Sequence, residues 1–251
     1  MPKLLKDDTV LEQRSLDGGA FTFRAARIDK LGATEYTLVT IAVDVTGSTY
    51  AFSDQLREAL VSAVEACQRS PFVDRLLLRV VTFSTAAGGV REIHGFVPLA
   101  DVDVAGYPVF EPDGLTPLYD AVYASVGAMA QYAEDLYNED YLSNGIVIVI
   151  TDGLDNVSQV TPAMIKENIS EIRRKERMES LVTILVGINA EEYRGELEAF
   201  RRNVGIDYYV DAGQASDTTL ARLAQFVSRS VVAQSQALGS GAPSQAISAT
   251  I

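Results

Sequence analysis

The most regular feature of the chain is an alternation of short, continuous apolar runs with longer segments in which apolar residues recur every three or four positions. The runs are rich in β-branched residues, which is typical of buried strands. Five such runs are predicted to be strands, at residues 36–43, 76–83, 145–150, 181–186 and 206–210.

The segments between these runs have the apolar spacing of amphipathic helices. Their apolar stripes lie at residues 52–67, 118–136, 165–172, 193–200 and 220–231. Near-continuous apolar strands that alternate with helices indicate a mostly parallel sheet covered on both faces. The sequence therefore predicts one α/β domain of three layers, with a doubly wound, Rossmann-like sheet.

One connection departs from this alternation. Residues 81–84 and 90–93 both have strand-like composition, and the five residues between them are too few for a helical crossover. Such a short connection is typical of a hairpin, so we expect one antiparallel edge strand.

The two ends of the chain lie outside the predicted domain, which covers residues 36–233. Residues 1–35 form an N-terminal extension, in which the composition of residues 21–28 favours one added strand. Residues 234–251 are rich in Ala, Ser, Gly and Gln, and this composition predicts a flexible tail.

Charge and composition exclude several classes of function. The formal net charge of −13 repels phosphate backbones, so nucleic acid is not an expected partner. One cysteine and one histidine allow neither an intrachain disulfide nor a Cys/His zinc cluster. The chain start lacks an apolar signal core, and no apolar run approaches the roughly 18 residues of a membrane span. We therefore expect a cytoplasmic protein without membrane contact; the sequence carries no signal for an oligomeric state.

Oxygen-bearing side chains follow the first buried strand and recur at two later positions. Asp44, Thr46 and Ser48 end the first run, Thr116 precedes the second predicted helix, and Asp152 ends a later strand. Because ligand sites in open α/β sheets lie beyond the carboxyl ends of strands, these five side chains can surround one point. Carboxylate and hydroxyl oxygens suit a hard divalent cation better than they suit acid–base chemistry.

Each of these residues also has an ordinary structural explanation. Ser48 and Thr116 are good helix N-caps, and Pro117 suits the first helical position. Thr46 suits a strand end, and Asp152 followed by glycine suits a turn. Taken together, however, the five residues favour a metal site, because a carboxylate at the end of a buried strand otherwise needs a separate compensating partner.

In this order the residues closely resemble the metal-ion-dependent adhesion site of the von Willebrand factor type A family. That site has an Asp-x-Ser-x-Ser motif, a distant Thr and a distant Asp, and the chain has Asp44-Val45-Thr46-Gly47-Ser48, Thr116 and Asp152. Thr46 stands where the family usually has serine. The resemblance covers about residues 36–233, and its Gly-Leu-Thr-Pro-Leu and Thr-Asp-Gly stretches are most similar to small cytoplasmic bacterial members associated with tellurite resistance and stress operons.

The resemblance implies a non-catalytic protein–protein interaction module with the von Willebrand A fold. Its cofactor would be Mg²⁺, with Mn²⁺ or Ca²⁺ as other hard ions that oxygen ligands accept. Another protein would present an Asp or Glu to the metal. The rim expected to contact that partner lies beside the ligands in sequence and comprises Thr49, Tyr50, Leu115, Asp155 and Asn156.

Three other functions stay open at this point. A haloacid-dehalogenase-like phosphatase would use Asp44 as nucleophile and Asp152 with Asp155 as metal acids, but it needs a second acid where this chain has Thr46. A nucleotide-binding module would need a G-x-G-x-x-G fingerprint or a Walker-type loop after the first strand, and neither is present. A structural scaffold with a purely stabilising metal would share the fold and the ligands.

Overall fold

The computed structural model describes residues 3–6, 9–16 and 21–240. Within these ranges the chain forms eight strands: β1 (Leu11–Ser15), β2 (Thr22–Ala26), β3 (Glu35–Asp44), β4 (Leu76–Ser84), β5 (Gly89–Pro98), β6 (Leu142–Thr151), β7 (Leu181–Ile188) and β8 (Tyr208–Gly213). They form a single sheet in the order β1-β2-β5-β4-β3-β6-β7-β8. All five strands predicted from the apolar runs are present in it.

Five α-helices in the described ranges cover this sheet: α1 (Ser53–Gln68), α2 (Leu118–Asn138), α3 (Pro162–Lys175), α4 (Arg194–Val204) and α5 (Asp217–Ser240). Alternate residues of β3 point to opposite faces, as the pleat of a strand requires. Ile41 and Val43 pack with α1 and α5, whereas Leu38 and Ala42 pack with α2, α3 and α4. The three-layer α/β architecture is therefore confirmed.

The central strands β3, β4, β6, β7 and β8 are parallel, and β5 pairs antiparallel to β4. The predicted hairpin is thus confirmed. Because β3 and β6 are parallel neighbours, their carboxyl ends, at Asp44 and Thr151, lie at the same end of the sheet. The loops that follow these two strands are therefore brought together.

The sheet continues beyond β5, through a part of the chain that was assigned to an N-terminal extension. β2 pairs parallel to β5 at Ala25 and Phe96, and β1 pairs antiparallel to β2. The extension thus supplies two strands rather than one, so β5 is not the edge of the sheet; β2 and β5 run antiparallel to the central strands, and β1 is the edge strand. Close approach of β2 requires glycine at residue 95, since a Cβ there would overlap the Arg24 carbonyl group.

A buried ion pair fixes these added strands to the main sheet. The side chain of Arg79, in the middle of β4, is 2% exposed, and its Nε donates to the Glu92 carboxylate at 2.7 Å. The same carboxylate accepts from the backbone N of Arg24 at 3.2 Å and from its Nε at 3.1 Å. Glu92 therefore joins β2, β4 and β5 through one side chain.

The prediction of a flexible tail from residue 234 needs correction. Helix α5 continues to Ser240, and Gln234, Ser235 and Ala237 are all buried. The Nδ2 of Asn144 donates to the backbone carbonyl of Gln234 at 2.8 Å. The Ala and Ser residues that gave this segment the composition of a linker include Ser235 and Ala237, which are buried on the helix. Residues 241–251 of the predicted tail lie outside the described residues.

Two expectations from composition can be compared with the structure. Cys67 is buried on α1, as its place in the apolar stripe predicted, and burial raises the pKa of its thiol to about 12. Among the helices of the described ranges, none has both the length and the apolar character needed to cross a membrane.

Candidate metal centre

Three loops at one end of the sheet carry the five predicted ligands. Asp44 is the last residue of β3, Thr46 immediately precedes the 3₁₀ turn Gly47–Phe52 that leads into α1, and Ser48 lies in that turn. Thr116 lies just before α2, and Asp152 follows β6 directly. Ser48 and Asp152 are 104 positions apart in the sequence. They meet because β3 and β6 are parallel neighbours, which places the loops after both strands at the same end of the sheet.

Four of the five side chains form a continuous chain of hydrogen bonds. The Ser48 hydroxyl donates to Oδ1 of Asp152 at 2.8 Å, and it lies 3.2 Å from the Thr46 hydroxyl. The Thr116 hydroxyl in turn donates to the Thr46 hydroxyl at 3.3 Å. The structure therefore brings residues from all three loops to one place, as the sequence pattern predicted.

Asp44 lies beneath this chain and is 1% exposed. Its Oδ1 accepts from the backbone N of Thr46 at 2.9 Å, and its Oδ2 accepts from the Thr151 hydroxyl at 2.8 Å. Burial raises the pKa of Asp44 to about 6, and the charge of Asp152 adds to this, whereas the hydrogen bonds from Thr46 and Thr151 oppose it. Desolvation thus outweighs these hydrogen bonds.

Asp152 shares this environment and is 7% exposed. Burial raises the pKa of its carboxyl group, and the hydrogen bond from Ser48 acts in the opposite direction. Among the described residues, no Lys, Arg or His forms an ion pair with Asp44 or Asp152. Two buried carboxylates therefore lie close together without a basic side chain to balance them, which is unfavourable unless a cation is supplied.

The available donors are all oxygen atoms, from two carboxylates and three hydroxyls. In the described part of the chain, no group of three or more His, Cys, Asp or Glu side chains is placed to hold a metal. A metal site here would therefore depend on the hydroxyls for its ligand number and on the carboxylates for its charge. This donor set fits a hard divalent cation and does not fit the softer metals that need nitrogen or sulfur.

The helix-capping explanations for Ser48 and Thr116 do not describe the structure. No side chain caps the first turn of α1 or of α2 from within its own N-cap position. The first backbone amides of α2 instead bond to the loop after β6: Tyr119 N donates to Asp155 at 3.1 Å, and Asp120 N donates to Ser158 at 3.0 Å. The hydroxyls of Ser48 and Thr116 are therefore directed to the candidate centre.

Supporting residues hold the Thr116 loop in place. Asn156 accepts from the backbone N of Thr116 at 2.8 Å, and its own backbone N donates to the Thr116 carbonyl at 3.2 Å. Gly47 N donates to the Gly114 carbonyl at 3.2 Å, and the Thr85 hydroxyl accepts from Leu115 N at 2.8 Å. Gly114 has φ of 80°, a left-handed conformation that favours glycine.

The five residues of the predicted partner-binding rim differ in exposure. Tyr50 and Leu115 are exposed by 76% and 50%, so both are available to a partner. Thr49 is wrong as a rim residue, since it is 1% exposed and its hydroxyl donates to the Thr46 carbonyl at 2.9 Å. The carboxylate of Asp155 faces the first turn of α2, and Asn156 is exposed with its amide oxygen bonded to Thr116.

Sequence reasoning missed Thr151 and Thr85, which support Asp44 and Leu115. Thr151 is the last residue of β6, immediately before Asp152. A hydroxyl residue at the end of an otherwise aliphatic strand, beside a predicted ligand, is the signal that could have found it. Thr85 lies in the β4–β5 hairpin, and only the folded structure brings it to residue 115.

The chain matches no protein-family model and no curated protein. Among solved structures it is similar to the pilus adhesin SpaC from Lactobacillus rhamnosus GG in its open conformation, with a TM-score of 0.56 and 10% identity over 84% of this chain and 31% of that one. A second crystal structure of SpaC gives a TM-score of 0.57 and 11% identity over 84% and 32% of the two chains.

Proximal thread matrix protein 1 from the mussel byssus, in a structure with a zinc-occupied MIDAS motif, has a TM-score of 0.49 and 17% identity. That match covers 80% of this chain and 47% of the other. This chain thus spans under half the length of each of these proteins. At such identities the likeness to SpaC shows a shared fold, and the chain is therefore an α/β protein with the architecture found in part of that adhesin.

Proposed function

We propose that this protein is a non-catalytic interaction module that binds an acidic residue of another protein through a divalent cation. The observation that carries the proposal is the hydrogen-bonded set of Asp152, Ser48, Thr46 and Thr116 above a buried Asp44, with no basic side chain of the described residues paired to either acid. These five side chains would hold the cation directly or through water, with Mg²⁺ as the expected ion and Mn²⁺ or Ca²⁺ as alternatives.

The charges at the centre favour a partner that presents a carboxylate. Two carboxylates balance a divalent ion, and the hydroxyls add ligands without adding charge. An ion coordinated by these five groups has room for a further oxygen from the solvent side, where Ser48 is exposed. On a protein with a net charge of −13, an intervening cation offsets the repulsion that an acidic partner would otherwise meet.

The surface around the centre supports binding. Tyr50 and Leu115 are large, exposed, apolar residues on two of the three loops that form the centre. Such residues often contribute most to a protein interface. The resemblance of the motif to the von Willebrand A adhesion site and the fold shared with a pilus adhesin agree with this proposal, although a shared fold does not by itself establish a function.

The phosphatase alternative has less support. Asp44, its required nucleophile, is 1% exposed and accepts hydrogen bonds on both oxygens. Asp155, its second metal acid, bonds to the first turn of α2 and to Ser158. Thr46 also stands where that chemistry needs a second acid. The geometry therefore favours binding over phosphoryl transfer.

The setting of the interaction is also part of the proposal. The stretches at residues 114–118 and 151–153 are most similar to small bacterial members of the family associated with tellurite resistance and stress, so we propose a cytoplasmic role in a bacterial stress response. The corresponding test is identification of proteins captured from a bacterial lysate with Mg²⁺ and with EDTA. Capture of the same proteins under both conditions would contradict a metal-bridged partner.

The metal itself is tested by calorimetric titration of Mg²⁺ and Mn²⁺ into the EDTA-treated full chain. We expect one binding event in the wild type, and loss of that event in Asp44→Asn and Thr116→Ala. Asp74→Asn is the matched control, because Asp74 is an exposed carboxylate just before β4, away from the centre. No uptake by the wild type would overturn the proposal.

Recognition of an acid is tested with glutamate-containing peptides in Mg²⁺ and in EDTA. We expect binding only with Mg²⁺ and only when the glutamate is not replaced by glutamine. If chelation lowers the melting temperature but leaves peptide binding intact, the ion is only a stabilising one and metal-bridged recognition is wrong.

A further inference from the structure

A groove with a volume of about 1150 Å³ begins beside the candidate metal centre. It lies between the start of α1, the β4–β5 hairpin and the loop that precedes Gly114. Val45, the residue between two of the predicted ligands, lines the groove, and its carbonyl accepts from Asp113 N at 3.2 Å. The groove and the centre therefore share a segment of backbone, so a bound chain can contact both.

Part of the groove wall is apolar and exposed. Tyr50 and Val109 are exposed by 76% and 68%, and Pro108 and Pro112 line the wall beside Val109. Large apolar side chains exposed around a depression are typical of an interaction surface. The lining thus provides a place for an apolar side chain of a partner next to the centre.

The loop that carries Val109 is held in place by α1. Arg57 donates from Nε to the Pro108 carbonyl and from Nη2 to the Tyr107 carbonyl, both at 2.8 Å. His94 Nε2 lies 2.9 Å from the Tyr107 hydroxyl beneath the same loop. Because the loop is anchored before any partner arrives, little ordering remains to oppose binding.

The charges along the groove are mostly negative. Asp54, Glu111 and Asp113 are exposed lining residues, and within the described ranges none of them forms an ion pair. Glu92 also lines the groove, but its carboxylate is bonded to Arg79 and Arg24. Arg91 is the one basic residue among the described residues that line the groove. The described lining therefore carries three carboxylates without an ion pair and one guanidinium.

We propose that this groove selects the segment that the centre binds: an extended peptide of a partner protein in which the metal-bound acid is accompanied by an apolar and a basic residue. The inference rests on the proposed function. The cation attracts one carboxylate, whereas the groove beside it repels a second carboxylate and attracts a Lys or Arg. The apolar side chain packs against Tyr50 and Val109. Uniformly acidic segments are thereby discriminated against.

The test uses synthetic peptides of one length that share one glutamate and one leucine at fixed positions. They differ only at the positions that follow, which carry lysine, alanine or further glutamate. Binding to the full chain is followed by NMR titration in Mg²⁺, because chemical shifts report even weak binding. We expect the lysine peptides to bind roughly five- to tenfold more tightly than the alanine peptides, and the glutamate peptides more weakly than either.

Two charge reversals on α1 distinguish an effect of the groove itself from an effect of the protein's overall charge. Asp54→Lys should abolish or invert the preference for lysine peptides. Glu58→Lys is the matched control, since Glu58 is exposed one helical turn further along α1 and does not line the groove; it should keep the preference. Tyr50→Ala should weaken the binding of all these peptides, because each of them carries the leucine.

The outcomes distinguish this inference from the function on which it rests. Mg²⁺-dependent binding that ignores the flanking charge, or that responds equally to Asp54→Lys and Glu58→Lys, overturns the groove proposal and leaves the interaction module standing. Absence of Mg²⁺-dependent binding by every glutamate peptide, together with absence of metal uptake, overturns both.

Discussion

Glu92 and Asp44 are two carboxylates that the same sheet buries in different ways. Glu92 accepts from Arg79 Nε at 2.7 Å and from Arg24 Nε at 3.1 Å, so its charge is balanced by the chain itself. Asp44 accepts from the backbone N of Thr46 and from the Thr151 hydroxyl, and it is less exposed than Glu92. Both acids have their oxygens hydrogen-bonded, but only Glu92 has a basic partner.

The difference separates a structural acid from a candidate binding acid. A buried carboxylate without a counter-charge is unfavourable, and the pKa of Asp44 is accordingly raised to about 6. The chain balances the charge of Glu92 with arginine side chains. Asp44 has no such partner among the described residues, so a bound cation could balance its charge instead.

The largest expected effect comes from breaking the ion pair. Glu92→Gln leaves the buried guanidinium of Arg79 without a counter-charge, and we expect a loss of about 3–5 kcal/mol in the free energy of unfolding by urea. Glu58→Gln, at an exposed position, is the control and should change stability by less than about 0.5 kcal/mol. A loss below about 1 kcal/mol for Glu92→Gln would show that Glu92 does not offset the burial of the Arg79 guanidinium.

Neutralising Asp44 should have the opposite sign. In EDTA at neutral or higher pH, Asp44→Asn removes a desolvated charge, so we expect a gain of up to about 3 kcal/mol in the free energy of unfolding. The amide oxygen can still accept from Thr46 N, which keeps the turn intact. Destabilisation by Asp44→Asn in the absence of metal would mean that Asp44 is a structural acid like Glu92.

The pH dependence of that gain follows from the raised pKa. The pKa of Asp44 is about 6 in the fold and 3.8 ordinarily, so below pH 6 the folded chain takes up a proton before the unfolded chain does. Metal-free wild type therefore gains stability relative to Asp44→Asn as the pH falls from about 6 to about 4. His94, whose pKa burial lowers to about 4, destabilises the fold over much of this range, but it does so equally in both proteins.

The difference in unfolding free energy between the two proteins, measured by urea titration at several pH values, checks this expectation. A difference that stays constant with pH would contradict it.

Mg²⁺ should distinguish the two acids directly. At roughly 100 times its dissociation constant, a ligand that binds only the folded chain adds about 2.7 kcal/mol to the free energy of unfolding. We expect this gain in the wild type and in Glu92→Gln but not in Asp44→Asn, measured by urea unfolding with and without Mg²⁺. An equal gain in Asp44→Asn would place the ion elsewhere.

The smallest expected effect concerns the hydroxyl behind Asp44. Thr151→Val removes a hydrogen bond to the buried carboxylate with little change of shape, and we expect a loss of about 1–2 kcal/mol in metal-free wild type. In the Asp44→Asn background the loss should be smaller, because the acceptor is then neutral. Equal losses in the two backgrounds, measured by urea unfolding, would show that Thr151 does not act through Asp44.

The apolar spacing was sufficient to predict the architecture. Strands β3, β4, β6 and β7 each contain the run from which they were predicted, because strands buried on both faces must be continuously apolar. Strand β1 could not be found in this way: its residues, LEQRS, have no apolar alternation, and only pairing with β2 makes them a strand. The helical conformation around residues 234–237 likewise depends on burial and on contact with the sheet, which composition does not show.

The candidate centre was visible in the sequence because its residues follow strand ends, where chain topology fixes their position. The rim was less predictable, since adjacency along the chain does not say which way a side chain points in a 3₁₀ turn, and Thr49 points inward. The Glu92 pair was missed, although Arg79 in the apolar run LLLRVVTFS is a visible signal that a buried partner must exist.

The position of β2 beside β5 determines how much of the chain can be removed. A fragment cut at residue 36, where the apolar alternation begins, would lose the ring of Phe23 that contacts Phe96 at a centroid distance of 6.3 Å. It would also lose Arg24, and it would leave Phe96, fully buried in the whole chain, open to water. For recombinant expression, a unit that keeps Phe96 buried must therefore start upstream of β2 rather than at the first long strand.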